Sequence, residues 1–207
     1  MDVGTWEPPA LPERASDPGF GAMAGTRYYE RPEHLAERQR IVDFLDAPGP
    51  VGFEIGFDHG NVILDLARTF TEILWVGAEV RKARVDAAAP HAPPNALLLR
   101  GDARGLLASV IPAGRLSFIY VLFPSPSHDP RHLLLTPATV AAFATALAPG
   151  GQLHLATDVP AMARLAEGLL STWPEGPGVP HGGELSRRDR VCRRDGREVW
   201  RFTRIRP

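Results

Sequence analysis

Cysteine is nearly absent from this chain: Cys192 is alone among 207 residues. That excludes an intramolecular disulfide framework and a cysteine-based zinc ribbon. Lysine is equally scarce. Lys82 is the only one, so arginine carries the basic charge. Neither sign of charge is in excess, since 23 basic against 24 acidic residues leave a net charge of −1 and a pI near 6.7. The chain as a whole is therefore not a polycation. No apolar run reaches the roughly 20 residues of a membrane span. The N-terminus lacks the basic-then-apolar order of a signal peptide. A cytoplasmic protein without membrane contact is expected, as a monomer or a homodimer.

What is present is a regular alternation of short apolar runs and helical patterns. The length suits one α/β domain with a sizeable core. Residues 1–30 read as an N-terminal arm and 31–207 as the domain. The organising stretch is Val51 to Gly60, V-G-F-E-I-G-F-D-H-G. A buried run ends in an acid, a glycine turn follows, and a new apolar pattern begins at Val62. That order is strand, tight turn, helix start. Gly56 and Gly60 sit where a backbone must turn sharply and admit a ligand. Glu54 ends the strand, facing the crevice beyond the carboxyl edge of a parallel sheet.

The next two runs repeat the design. Ile73 to Glu79 also ends in an acid, and Glu79 stands where such folds hold the two hydroxyls of a ribose. Ala96 to Leu99 is followed by Gly101-Asp102-Ala103. Glu54, Glu79 and Asp102 thus close three successive strands. The bland alternative for each is a solvated loop acid or a helix N-cap.

Around these runs, Met1 to Tyr29 is rich in Pro, Gly and Ala, without a sustained period, and reads as a flexible arm. Within it Thr26-Arg27-Tyr28-Tyr29 is the stretch able to order against the body or a substrate. Helices are expected over Pro32–Leu45, Gly60–Phe70, Arg81–Ala89, Ala103–Val110, Thr136–Leu147 with Thr136 as N-cap, and Pro160–Leu170. Leu116–Phe123 is the candidate central strand, buried on both faces, and Gln152–Thr157 is the fifth. After a loop over 173–183, Arg190–Arg194 and Arg197–Ile205 read as a hairpin turning at Asp195-Gly196. The expected fold is a doubly wound, Rossmann-like sheet of seven strands closed by that antiparallel hairpin.

This layout resembles the class I S-adenosylmethionine-dependent methyltransferases. The local wording is closer still: F-E-I-G-F-x-x-G, G-A-E-V-R-K, G-D-A, Y-V-L-F-P-x-P, L-A-P-G-G, H-L-A-T-D and the terminal V-W-R-F strand are similar to the bacterial tRNA (guanine-N7-)-methyltransferase family. The resemblance covers roughly Phe53 to Phe202. It implies S-adenosylmethionine as cofactor and S-adenosylhomocysteine as product. It implies cofactor contacts at Glu54, Gly56, Phe57, Gly60, Glu79, Val80, Asp102 and Ala103. Glu79 would take the ribose hydroxyls, and Asp102 with the Ala103 amide would meet the adenine. Asp158 matches a substrate-contacting aspartate.

Departures from the family pattern are concentrated on the acceptor side. Asp58 replaces the glycine usual between Gly56 and Gly60; aspartate tolerates left-handed backbone better than most residues. After the fourth strand the family reads P-D-P-W-x-K. Here Pro124-Ser125-Pro126-Ser127-His128-Asp129 puts Ser125, Ser127 and Asp129 at the places of the acid, the tryptophan and the lysine. The T-x-x-E motif has no match around Ser186 to Arg194. Guanine N7 carries a free lone pair, so its methylation needs a held base in line with the methyl donor. Holding the N1–H and amino edge calls for carboxylates. The acceptor is therefore expected to be tRNA or, with the altered loop, a small nitrogen heterocycle or other metabolite. A non-catalytic RNA- or partner-binding relative is the third reading.

The candidate catalytic residues are Asp158, Ser125 and His128, the last as a general base. His128, Asp129 and His132 also form an incomplete metal-like cluster, and no metal is expected. Nine arginines between Arg187 and Arg206 read either as a phosphate-binding face or as the charged outer face of an edge hairpin. Trp200 and Phe202 read as core, and Cys192 as a small strand residue.

Overall fold

The protein is described here from a computed structural model, whose described residues are 6–10, 28–178 and 186–207. Six strands form one sheet: β1 (Val51–Ile55), β2 (Leu74–Glu79), β3 (Ala96–Arg100), β4 (Leu116–Leu122), β5 (Leu147–Thr157) and β6 (Trp200–Ile205). Their order is β3-β2-β1-β4-β5-β6. The first five are parallel, and β6 runs antiparallel to β5. The chain winds outward on one side through β2 and β3, then crosses to β4 and β5 on the other. That reversal places a switch point between the carboxyl ends of β1 and β4, where open α/β sheets receive ligands.

The helices are α1 (Leu35–Asp46), α2 (Asn61–Thr69), α3 (Lys82–Ala88), α4 (Ala103–Ser109), α5 (Pro137–Ala146), α6 (Pro160–Leu169) and α7 (Arg187–Arg194). Thr136 caps α5 as expected, its hydroxyl accepting the Thr139 amide at 3.2 Å. Strand alternation divides the core between the two faces of the sheet. Val76 and Ile119 join Phe53, Leu106, Phe143 and Met162. Their neighbours Trp75 and Tyr120 join Phe57 and Ile63. All five residues of β1 are buried, which is why its sequence reads as an unbroken run. Arg115 ties the entry to the sheet, donating to the carbonyls of Leu45, Ala47 and Gly49 at 2.6, 2.8 and 3.0 Å.

The C-terminal hairpin is not formed. Residues 187–194 are helical, and only β6 adds to the sheet, so the described residues give six strands rather than seven. The helix starts on a reciprocal cap: the Ser186 hydroxyl accepts the Asp189 amide, and the Asp189 carboxylate accepts the Ser186 amide, each at 3.1 Å. Such a box satisfies two orphan donors and nucleates the turn. Cys192 is accordingly a buried helix residue, not a strand residue. Phe202 packs at the margin of the core, and Trp200 is half-buried.

Two other expectations shift. The helix foreseen from Pro32 opens with a 3₁₀ turn over Pro32–His34 before α1. The turn Ala148 to Gly151 lies inside β5, where pairing with β4 jumps from Leu116↔Leu147 to Phe118↔Gln152. Of the N-terminal arm, Thr26 and Arg27 lie outside the described residues. Trp6 and Tyr29 are within them, and both are buried in the core.

Candidate active site

A cleft of about 760 Å³ opens at the switch point. Its floor is the carboxyl end of β1 and β4, one wall is the ends of β2 and β3, and the other is formed by the end of β5 with the start of α7. Of the residues expected from sequence, Glu54, Gly56, Phe57, Glu79, Val80, Asp102, Ala103, Ser125 and Asp158 line it; Gly60 and His128 do not.

The first turn is built for close approach. Gly56 has φ +73°, and a Cβ there would meet nothing within 4 Å. Asp58 adopts φ +49°, so the carboxylate that replaces a glycine is carried in left-handed backbone. Gly60 serves a different purpose. It precedes α2 with φ +78°, and a Cβ would stand 2.9 Å from the Ala88 methyl of α3. The absence of a side chain at Gly60 thus lets α2 and α3 pack closely. Gly60→Ala is therefore expected to cost about 2 kcal/mol, from left-handed strain and overpacking together. A thermal melt should show a loss of several degrees.

Glu54 is buried and sits in register between Gly77 of β2 and Tyr120 of β4. Desolvation pushes its pKa up to about 8, against an Ile63 amide that lowers it, and Asp58 adds a smaller repulsion. Its Oε2 has no hydrogen-bond partner among the described residues. A buried, unsatisfied carboxyl oxygen is costly, so this atom waits for a donor.

Glu79 is the opposite case. Oε1 accepts the Arg81 amide at 2.9 Å and Arg81 Nε at 3.0 Å. Oε2 accepts the Asp58 amide at 3.1 Å and an Arg81 terminal nitrogen at 3.2 Å. Burial works to raise its pKa, but the hydrogen bonds and charge of Arg81 and the Asp58 amide outweigh it and hold the carboxylate below its ordinary value. Asp102 caps α4 through the Arg104 amide at 2.9 Å and pairs with the Arg104 guanidinium at 3.0 and 2.9 Å. The helix-cap alternative for Asp102 is thus realised, while Asp102 and Ala103 still face the cleft.

On the opposite wall the Asp158 side chain is buried, and its Oδ2 takes Arg188 at 2.7 Å and Arg197 at 2.6 Å, with the Cys192 thiol donating from 3.4 Å. Two guanidinium groups therefore share one carboxylate. Burial pushes the Cys192 thiol up, and Asp158 adds to the effect. That leaves it a packed, un-ionised neighbour rather than a nucleophile.

The loop after β4 brings Ser125 and Pro126 to the cleft, with His132 where His128 was expected. The His128 ring instead stands 6.4 Å from that of Trp6. Asp129, at the family's lysine position, forms an exposed ion pair with Arg131, which holds its pKa down to about 2. Among the described residues no group of three or more His, Cys, Asp or Glu is placed to hold a metal.

The arginine-rich segment is mostly spoken for. Arg188 and Arg197 hold Asp158, Arg201 holds Asp189, Arg206 donates to the Leu147 carbonyl at 2.6 Å, and Arg204 lies over the Phe202 ring. Arg187 and Arg188 line the cleft. Arg81 and Arg104 carry no sequence signal of a site, whereas Arg187 and Arg188 belong to the arginine-rich segment read as a candidate phosphate-binding face.

The comparisons agree with this geometry. A family model described as "Putative methyltransferase" matches residues 48–174. A tRNA (guanine-N(7)-)-methyltransferase of Colwellia psychrerythraea is 30% identical over 171 residues, covering 76% of this chain and 68% of the relative. One of Anaeromyxobacter dehalogenans is 39% identical over 130 residues, covering 59% and 65%; one of Hydrogenovibrio crunogenus is 34% identical over 134, covering 60% and 56%. The chain thus spans between just over half and two thirds of these relatives. Among solved structures, the 16S rRNA methyltransferase KamB is 21% identical, with a TM-score of 0.57, covering 83% of this chain and 94% of that one. A 16S rRNA (adenine-N(1))-methyltransferase from Catenulisporales acidiphilia, solved with the cosubstrate SAM, is 14% identical with a TM-score of 0.55, covering 82% and 91%. These two likenesses concern the fold alone. With the family model matched over more than half its length, the chain belongs to this methyltransferase family.

Proposed function

We propose that the protein transfers a methyl group from S-adenosylmethionine to a ring nitrogen, guanine N7 of tRNA being the favoured acceptor. The observation that carries this reading is Glu54. Its unsatisfied Oε2 in the cleft floor calls for a cationic donor, and the ammonium of a methionine moiety is one. The other residues fit the rest of the molecule. Glu79 would accept a ribose diol with both carboxylate oxygens once the Arg81 guanidinium donors give way. The start of α4 offers the Asp102 carboxylate and the Ala103 amide, whose helix position leaves it without an intrahelical partner. Bound there, S-adenosylmethionine supplies an electrophilic methyl on its sulfonium.

The chain's own work is then chiefly positioning. Guanine N7 has no proton to lose, so no general base is required, and Ser125 in place of a carboxylate does not block the chemistry. His132 and Ser125 line the cleft where an acceptor edge would rest. A second reading, a small-molecule acceptor, is favoured by Asp158. Its Oδ2 is already taken by Arg188 and Arg197, which leaves the guanine amino edge only the other oxygen.

The test is transfer of labelled methyl to unmodified tRNA transcripts and, in parallel, to nitrogen heterocycles. Label in tRNA, with strand cleavage at one guanine after reduction and aniline treatment, is the expected result. Label only in the small molecules selects the second reading. Label in neither overturns both.

A further inference from the structure

We propose that Arg81 is a built-in occupant of the ribose position and that Asp58 is the residue that receives it when a ribose enters. The inference rests on the reading of Glu79 as acceptor of a ribose diol. Glu79 accepts four hydrogen bonds, two on each oxygen. On each oxygen one donor is a backbone amide, Arg81 on Oε1 and Asp58 on Oε2, and the other belongs to the Arg81 guanidinium. The amides are fixed by the chain. The two guanidinium donors are the exchangeable ones, one per oxygen, arranged as a fork. A cis-diol also brings two adjacent donors, one to each oxygen. It replaces the fork donor for donor and leaves the backbone pair in place.

The displaced guanidinium has a partner already in hand. The same terminal nitrogen that reaches Glu79 lies 2.8 Å from Asp58 Oδ1. The Arg81 side chain is 55% exposed and Asp58 48%, against 3% for Glu79. Arg81 can therefore swing outward onto Asp58 without burying or stranding a charge, while Glu79 stays where it is. Asp58 is further anchored by Arg84 Nε at 3.3 Å and His59 Nε2 at 3.7 Å, so it does not follow Arg81 away. This gives the unexpected aspartate in the glycine turn a purpose.

The test is calorimetric titration with S-adenosylhomocysteine of the full chain, Arg81→Ala, Asp58→Ala and the double variant. Arg81→Ala is expected to tighten binding about tenfold, one charge-assisted contact no longer having to be broken. Asp58→Ala is expected to weaken it several-fold in the parent and to do nothing in the Arg81→Ala background, a coupling that independent sites do not show. Arg81→Gln, which keeps the bulk without the fork, covers the case in which the alanine variant folds poorly. Unchanged or weaker binding in Arg81→Ala and Arg81→Gln, or an Asp58→Ala effect that persists without Arg81, overturns the proposal and leaves the cofactor reading standing. No binding in any of these proteins overturns the ribose reading of Glu79, and this proposal with it.

Discussion

Replacing Glu54 by glutamine is expected to stabilise the protein at pH 8 and to weaken cofactor binding at least tenfold in the same molecule. The folded chain keeps the Glu54 proton up to about pH 8, whereas an unperturbed glutamate releases it near 4.5. Below pH 4.5 both states hold the proton and the group costs nothing by titration. Between 4.5 and about 8 the unfolded chain gains by ionising and the folded chain does not, so stability falls as pH rises across that window. At about 1.4 kcal/mol for each pH unit, the loss is on the order of 4 kcal/mol at pH 8. Glutamine cannot ionise and still accepts the Ile63 amide. Denaturant melts of the two proteins should coincide near pH 4.5 and diverge steadily toward pH 8. Titration with S-adenosylmethionine should show the opposite ranking. The parent should bind with release of close to one proton at pH 7, and the variant should bind at least tenfold more weakly. Equal stability at both pH values would mean that Glu54 is not held protonated by its surroundings.

The second large effect is expected at Asp158. Its carboxylate is almost fully buried, and Arg188 and Arg197, 42% and 34% exposed, both point to Oδ2. Asp158→Ala leaves two guanidinium groups facing each other without their counter-ion. A fully buried pair broken in this way costs about 3–5 kcal/mol. Here water reaches the arginines and shares the charge, so about 2–3 kcal/mol is expected. Melting should fall by several degrees. Limited proteolysis should open first at α7, which Arg188 ties to the end of β5. Arg197→Ala should reproduce part of both effects, and the double variant should cost less than the sum. An unaltered melting curve for Asp158→Ala would show that the contact is not a clamp on α7.

Much of the cleft was legible because it is local. Glu54, Glu79 and Asp102 lie at or beside the ends of three strands whose apolar runs are unmistakable, and in a parallel sheet such ends converge at one edge whatever the loops do. Gly56 and Asp58 were likewise readable from turn chemistry alone. What local patterns miss lies where the deciding partner is far off in the chain. A Cβ on Gly60 would meet Ala88, a helix-packing contact that no local pattern announces. His128 and His132 share a proline-rich loop with no periodicity to aim a side chain; His132 lines the cleft, while the His128 ring stands near Trp6. Asp195-Gly196 reads as a hairpin turn, yet Ser186 and Asp189 three residues apart carry a capping signal that favours helix over the preceding residues. Two local rules competed there, and the helix won because Cys192 and Asp189 gain buried positions against Asp158 and Arg201.

The two walls of the cleft come from different stretches of chain. One wall is assembled from residues 54 to 104, each strand-end turn following the last, while the other waits for Asp158, Arg188 and Arg197. The first is tied by contacts 2 to 23 positions apart, and the second is a clasp closed across 30 to 39 positions. A lineage can therefore redraft the clasp, as one helix-and-strand cassette, without disturbing the strand ends opposite. On the proposed reading of the cleft, acceptor choice is free to drift while the donor stays the same.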